Sequence, residues 1–206
     1  MGPDRIPLFP LNVVLIPGAD LPLHIFEQRY RQMVHHCLET HSPFGMLLAV
    51  PNGINSVGCT AEILTIVKRY ADGRMDILTR GRHPFRVTQF FSEKPLLEGV
   101  VEYLQDIDDP VDPALVAKLV ELFDTCHTLL FGEYARAADS DDPEAISYRI
   151  ASTLPLDLIR KQQILELRGE RDRQQRLLAM LQEWAPQLAE AKNLRHHAAG
   201  NGHGPN

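Results

Sequence analysis

The sequence predicts an α+β fold: a closed or partly closed β-barrel carrying one short helix, followed by an all-α region built as a helical bundle. Three observations predict it. Residues 46 to 104 hold strand-length apolar runs separated by turn residues. Past the acidic, proline-bearing stretch 105–113 the apolar period switches to 3.6 and stays there. Within Cys59 to Tyr70, Ala61, Ile63 and Val67 occupy one alternating face and Leu64 and Ile66 the other. One-sided burial therefore fails, as it would in a barrel with something packed outside. The expected division is 1–110 for the barrel, 111–195 for the helices and 196–206 for a polar, Gly-containing, disordered tail.

The opening Ile6 to Gly18 is apolar but cut by Pro7, Pro10 and Pro17, which excludes a helix. It predicts a first strand, Val13 to Ile16, closed by Pro17-Gly18. Phe26, Tyr30, Met33, Val34, Cys37 and Leu38 then fall on one helical face, and this helix ends before Ser42-Pro43. Strands are expected at Met46 to Val50, Cys59 to Tyr70, Arg74 to Thr79, Phe85 to Phe91 and Leu97 to Leu104. Asp72-Gly73 is the clearest hairpin turn, because Gly supplies positive φ without steric cost. Leu115, Leu119, Leu122, Phe123, Cys126 and Leu130 stripe a long helix. Asp142-Pro143-Glu144 opens a second with Asp as N-cap and Pro in the first turn, and Pro155 ends it. Asp157 starts a third, carrying Ile159, Ile164, Leu165 and Leu167 up to a C-cap at Gly169. From Glu170 a fourth presents Leu177, Leu178, Leu181, Trp184, Ala185 and Leu188 to its neighbours.

Composition narrows the function. The 206 residues carry a formal charge of −6 spread over both halves, with a pI near 5.8, so no global attraction to phosphate backbones exists and no nucleic-acid partner is expected. No apolar run is long enough to span a bilayer and no secretory leader is visible, so a cytoplasmic location and no membrane partner are expected. Cys37, Cys59 and Cys126 are far apart and form no CxxC, which predicts buried thiols rather than disulfides or a zinc site.

Several motifs are shared with a known family. Pro7-Leu8-Phe9-Pro10-Leu11, Val14-Leu15-Ile16-Pro17-Gly18 and Leu21-Pro22-Leu23-His24-Ile25-Phe26-Glu27-Gln28-Arg29-Tyr30 resemble, in order and spacing, the opening of the Lon N-terminal domain family. Phe44-Gly45, Gly58 to Ile63, Asp72-Gly73-Arg74 and Gly81 to Val87 agree with it. So do Leu154-Pro155-Leu156, Lys161 to Glu166 and Arg176-Leu177-Leu178, so the resemblance spans about residues 6 to 185. It implies a PUA-like pseudo-barrel of six strands, a helical bundle and a role in binding polypeptides. These 206 residues hold no Gly-x-x-x-x-Gly-Lys-Ser/Thr loop and leave no room for a peptidase with a Ser-Lys pair, so a freestanding recognition module without ATPase or protease is expected.

No catalytic constellation stands out. No serine sits in Gly-x-Ser-x-Gly. Cys37 and His41 lie one helical turn apart, but Cys37 is on the apolar face, where an activated thiolate is disfavoured. His35 and His36 are adjacent and diverge by about 100° on a helix, so they cannot chelate one ion together. His196, His197 and His203 fall in the tail, and no metal or cofactor is expected. Arg160, Lys161, Arg168, Arg171, Arg173 and Arg176 interleave with Glu166, Glu170 and Asp172, the pattern of a solvated helix face. The expected activity is capture of unfolded or partly unfolded polypeptides, without catalysis, as an adaptor to a separate protease or a chaperone-like binder. Leu23, Phe26, Glu27, Arg29, Tyr30, Phe90 and Phe91 are the expected peptide-binding residues, on a shallow groove between barrel and bundle, with Glu27 and Arg29 read either as a structural tie or as its rim. RNA binding through Arg80, Arg82 and Arg86, and small-molecule binding, are the rival readings; the sequence fixes no oligomeric state.

Overall fold

The computed structural model describes residues 4–93, 95–107, 110, 112–132 and 146–200. Its elements run β1 (Asp4–Leu11), β2 (Asp20–Ile25), α1 (Gln28–Thr40), β3 (Phe44–Val50), β4 (Gly53–Arg69), β5 (Met75–Phe91), β6 (Glu98–Tyr103), α2 (Pro113–Phe131), α3 (Ile146–Thr153), α4 (Leu158–Glu166) and α5 (Glu170–Gly200). The fold is mixed α+β with a six-stranded sheet, as expected. The chain forms two compact units: residues up to Asp106 together with Pro155–Arg168, and Ile107–Leu154 together with Gly169 onward.

In the first unit the pairings β1–β3, β3–β4, β4–β5, β5–β6 and β6–β1 close a ring, with β2 attached outside it along β5. Inside lie Ile6, Leu8, Leu47, Phe85, Val87 and Val101. The prolines of β1 are tolerated because its two halves use different neighbours: Asp4 to Pro7 pair with β6, and Leu8 to Leu11 with β3. Each half is locally an edge, where a missing N–H is least costly. The first strand thus lies earlier than Val13 to Ile16; Val14, Leu15 and Ile16 are buried but irregular. They are pinned by Gly81, whose N–H donates to Ala19 O at 2.9 Å and whose carbonyl accepts Gly18 N–H at 2.9 Å. A Cβ on Gly81 would stand 2.3 Å from Ile16 O.

The two runs expected on either side of Gly81 are one 17-residue strand, β5. Its turn to β4 is built as the sequence predicts: Gly73 has φ +85° and its N–H donates to Tyr70 O at 3.0 Å. The two-faced apolar pattern of Cys59 to Tyr70 has a local cause. Ile63 faces Thr79 but Thr65 faces Leu78, and Ile66 faces Ile77 but Lys68 faces Asp76. Leu64 and Val67 are therefore extra residues in two bulges, each of which resets the alternation. Ala61, Ile63 and Ile66 share one face, while Val67 stands 66% exposed. At the other end of the strand Val57 to Ala61 are buried and α4 lies against β4, with Gln162 Nε2 donating to Val57 O at 3.1 Å.

Two helices are capped by Asp, α4 at the expected Asp157 and α2 at Asp112, within the stretch that the sequence reads as linker. Asp112 accepts the N–H groups of Ala114 and Leu115 at 3.0 and 3.3 Å, and Asp157 accepts that of Arg160 at 2.8 Å. The Asp142-Pro143-Glu144 start lies outside the described residues. Two expectations for α4 are corrected: Ile159 is 70% exposed, and the helix closes at Leu167 in an extended conformation, with Gly169 buried in a bridge to Ile107. In the second unit α2 and α3 pack on α5, whose Leu177 and Leu181 are buried. Arg173 departs from the solvated face expected for its run: it is fully buried, bonded to Glu170 and Ser147 and stacked over Tyr148 at 4.2 Å. Helix α5 continues to Gly200, through the start of the stretch expected to be a tail, and residues 201–206 lie outside the described ones.

Candidate functional site

The family-like opening places Glu27 at the N-cap of α1, in extended conformation. Its carboxylate caps no backbone group. It accepts instead from Arg29, through Nε at 2.9 Å and Nη2 at 2.8 Å. Arg29 also donates through Nη1 to Pro95 O at 3.1 Å, tying the first turn of α1 to the β5–β6 connection, and its guanidinium lies 4.6 Å over the Tyr30 ring. Tyr30 is core: it is buried, stacked on Phe9 with centroids 4.0 Å apart, and burial pushes its hydroxyl pKa up.

Across from α1, Arg5 on β1 donates through Nε to Glu98 Oε2 at 2.8 Å and stacks 4.0 Å over Phe91. Arg5, Arg29 and Glu98, with Ile6, Pro7, Met33 and Leu96, line a pocket of about 520 Å³. Of the expected binding residues, the structure thus gathers Glu27, Arg29, Tyr30 and Phe91 in or beside one pocket.

Leu23 and Phe26 belong to a second cluster, on β2 and its exit. Leu23 faces Ile77 and is half-buried; Phe26 is 60% exposed, its ring stacked beside His24 with centroids 6.0 Å apart. His24 Nδ1 lies 2.5 Å from Asp76 Oδ1, and Asp76 Oδ2 accepts the Tyr70 hydroxyl at 2.8 Å. These bonds, the one from His24 first, hold the Asp76 carboxyl below its ordinary pKa. Lys68 and Arg74 lie over the Tyr70 ring at 4.6 and 5.1 Å. Phe90 is exposed on β5 opposite Gly99.

Sequence reasoning missed His24, Tyr70, Asp76, Arg5 and Glu98 as parts of these clusters. His24 stands inside the opening motif, but its partner is 52 residues away, and Arg5 and Glu98 are 93 apart. Only strand register brings such pairs together, and no local spacing encodes it.

Cys37 and His41 share a pocket of about 430 Å³ with Thr60, Glu62, Arg82 and His83. Burial raises the Cys37 thiol pKa, so it stays protonated and unreactive at neutral pH. Arg80 is bidentate to Asp20 at 2.6 and 3.0 Å and Arg82 binds Glu62, so two of the three cations of the RNA reading, all but Arg86, are engaged by carboxylates. Among the described residues no group of three or more His, Cys, Asp and Glu side chains could hold a metal ion. Nor is any helix among them long and apolar enough to cross a membrane.

Comparison with known proteins agrees with the opening motifs. The family model described as the ATP-dependent protease La (LON) substrate-binding domain matches residues 5–183. Lon protease of Escherichia coli (strain K12) is 27% identical over 217 residues, covering 95% of this chain and 27% of its own. Lon protease of Syntrophus aciditrophicus (strain SB) is 28% identical over 190 residues, covering 83% of this chain and 24% of its own. The chain therefore spans about a quarter of the length of the curated relatives it matches. Among solved structures, the Lon N-terminal domain protein from Xanthomonas campestris superposes with a TM-score of 0.69 at 29% identity, covering 85% of this chain and 98% of that one. The N-terminal domain of Mycobacterium avium complex Lon protease gives 0.63 at 18% identity, covering 89% of this chain and 98% of its own, a likeness of fold alone. A match over residues 5–183, together with the described architecture, shows that this chain belongs to the Lon substrate-binding domain family.

Proposed function

We propose that this chain is a polypeptide-binding module, PUA-like in its closed strand ring, that captures unfolded or partly unfolded segments and breaks no bond itself. One observation carries the reading: the family's opening motif does not vanish wholly into the core. It leaves Phe26 exposed and sets Arg29 at the rim of a pocket floored by Ile6, Pro7, Met33 and Leu96. Leu23, Phe26, Glu27, Arg29, Phe90 and Phe91 supply the contact surface, with Tyr30 supporting Arg29 from below. Each client side chain fully buried contributes about 1.5–3 kcal/mol, so a single short segment binds weakly and an unfolded chain offering several binds better. Three buried free thiols suit a reducing compartment such as the cytoplasm. Captured clients are released or passed to a separate protease.

Titration of the purified protein with reduced, carboxymethylated α-lactalbumin, against the native folded form, tests this directly. Binding of the unfolded form alone is expected; equal or absent binding of both refutes the proposal.

A further inference from the structure

We infer that the face running from Phe26 across β2, β5 and β4 to the Asp72-Gly73 turn docks client segments in which an aromatic residue is flanked by Asp or Glu. The inference rests on the polypeptide-binding reading and names the kind of segment that this surface selects.

Strand register makes the face continuous. His24 on β2, Asp76 on β5 and Lys68 on β4 are direct cross-strand partners, so their side chains leave the sheet on the same side. Ring contacts extend the row in both directions. The His24 ring lies 6.0 Å from that of Phe26 and 5.8 Å from that of Tyr70, and Lys68 and Arg74 stand 4.6 and 5.1 Å over Tyr70. Phe26, His24, Lys68 and Arg74 are exposed. Arg31 reaches the turn at the end of this row from α1, its Nη1 donating to Asp72 O at 2.9 Å.

A cationic surplus remains here after every ion pair is counted. Arg31, Lys68, Arg69 and Arg74 stand at the turn against two carboxylates, Asp72 and Asp76. Asp72 is engaged by Arg74, and Asp76 by His24 and the Tyr70 hydroxyl, while Glu27, beside Phe26, is engaged by Arg29. Arg31, Lys68 and Arg69 are ion-paired with no carboxylate among the described residues; Arg31 holds a backbone carbonyl and Lys68 a ring. This local sign opposes the −6 of the whole chain, which by itself would favour basic segments. A nucleic-acid strand would need successive open rings for its bases. Tyr70 is already covered by Lys68 and Arg74, which leaves Phe26 as the open aromatic ring of the row, enough for one aromatic side chain with acidic neighbours.

Fluorescence anisotropy with the full chain tests this using three labelled peptides of equal length, each with one central Phe flanked by Asp, by Ser or by Lys, and a labelled single-stranded RNA. At low salt the Asp peptide is expected to bind about fivefold more tightly than the Ser peptide, and the Lys peptide least tightly. At about 0.5 M salt, where the Debye length is about 4 Å, the three should converge. Lys68→Glu should erase the Asp preference and Lys68→Gln reduce it. Arg171→Glu, the same change of net charge at an exposed position on α5, should keep it; thermal denaturation identifies any variant that fails to fold. Equal binding of the three peptides at low salt, or tighter binding of the Lys peptide, by protein that still captures reduced, carboxymethylated α-lactalbumin overturns this inference and leaves the broader reading standing. RNA bound more tightly than the Asp peptide, or an Asp preference untouched by Lys68→Glu, also overturns it. Capture of neither peptide nor unfolded client removes both readings.

Discussion

Arg173, wholly removed from solvent on α5, donates through Nη2 to Glu170 Oε2 at 2.9 Å, one turn earlier on the same helix. The pair is closed by Ser147, whose Oγ donates to Glu170 Oε2 at 2.5 Å and whose N–H donates to Oε1 at 3.1 Å. Removing one partner of a buried pair leaves the other without its counter-charge, so Arg173→Ala is expected to lower stability by about 3 kcal/mol in urea denaturation. An exposed arginine of the same run, Arg171, should change it by less than about 0.5 kcal/mol when replaced by Ala.

Gly81 gives a second test, this time of backbone approach. Its missing Cβ would collide with Ile16 O, a backbone atom with no rotamer to escape into. Gly81→Ala should therefore cost about 2 kcal/mol, read from the urea midpoint.

Phe26 and Tyr30 lie four residues apart in one motif yet face opposite fates. Phe26→Ser is expected to leave stability within about 0.5 kcal/mol of the parent while weakening capture of unfolded client. Tyr30→Ala removes a buried ring stacked on Phe9 and should cost about 3 kcal/mol. Urea denaturation and client titration of both variants separate surface from core.

Asp76 predicts an acid dependence. A native carboxyl pKa below the unfolded value contributes stability that is in place above the unfolded pKa, about 3.9, and is lost as pH falls through the native value. The stability gap between the parent and Asp76→Asn should be present at about pH 5 and close on further acidification, measured by urea unfolding across that range.

All three thiols are buried, with Cys59 pushed up to about 12 and Cys126 to about 11 by burial. A thiol reagent such as Ellman's is expected to find none of them in the native protein at mildly alkaline pH, and all three in urea.

The periodicities that sequence reading depends on are local, and so were its successes: the buried face of α1, the Gly73 turn, and the cap at Asp157. Its misses share a cause as well. Leu64 and Val67 look like ordinary alternating strand residues, because a bulge is set by the partner strand and not by its own composition. Strand β2 escaped notice because it is six residues long with a proline in the middle, acceptable only because it joins the sheet outside the ring. Arg173 reads like its exposed neighbours, and only the placement of Ser147 and Tyr148, some 25 residues earlier, puts it inside. For the binding residues, the opening motif supplied Arg29 and Phe26, while Arg5, Glu98 and Asp76 needed the register.

The return of Pro155–Arg168 to the unit begun at β1 has a consequence for biosynthesis. At ordinary translation speeds of about 5–20 residues per second, the last strand leaves the ribosome several seconds before Gln162 is available to satisfy Val57 O. During that interval the nascent ring presents a bare hydrophobic flank, and this stretch of the chain would itself be a client for cellular chaperones until α4 arrives to cover it.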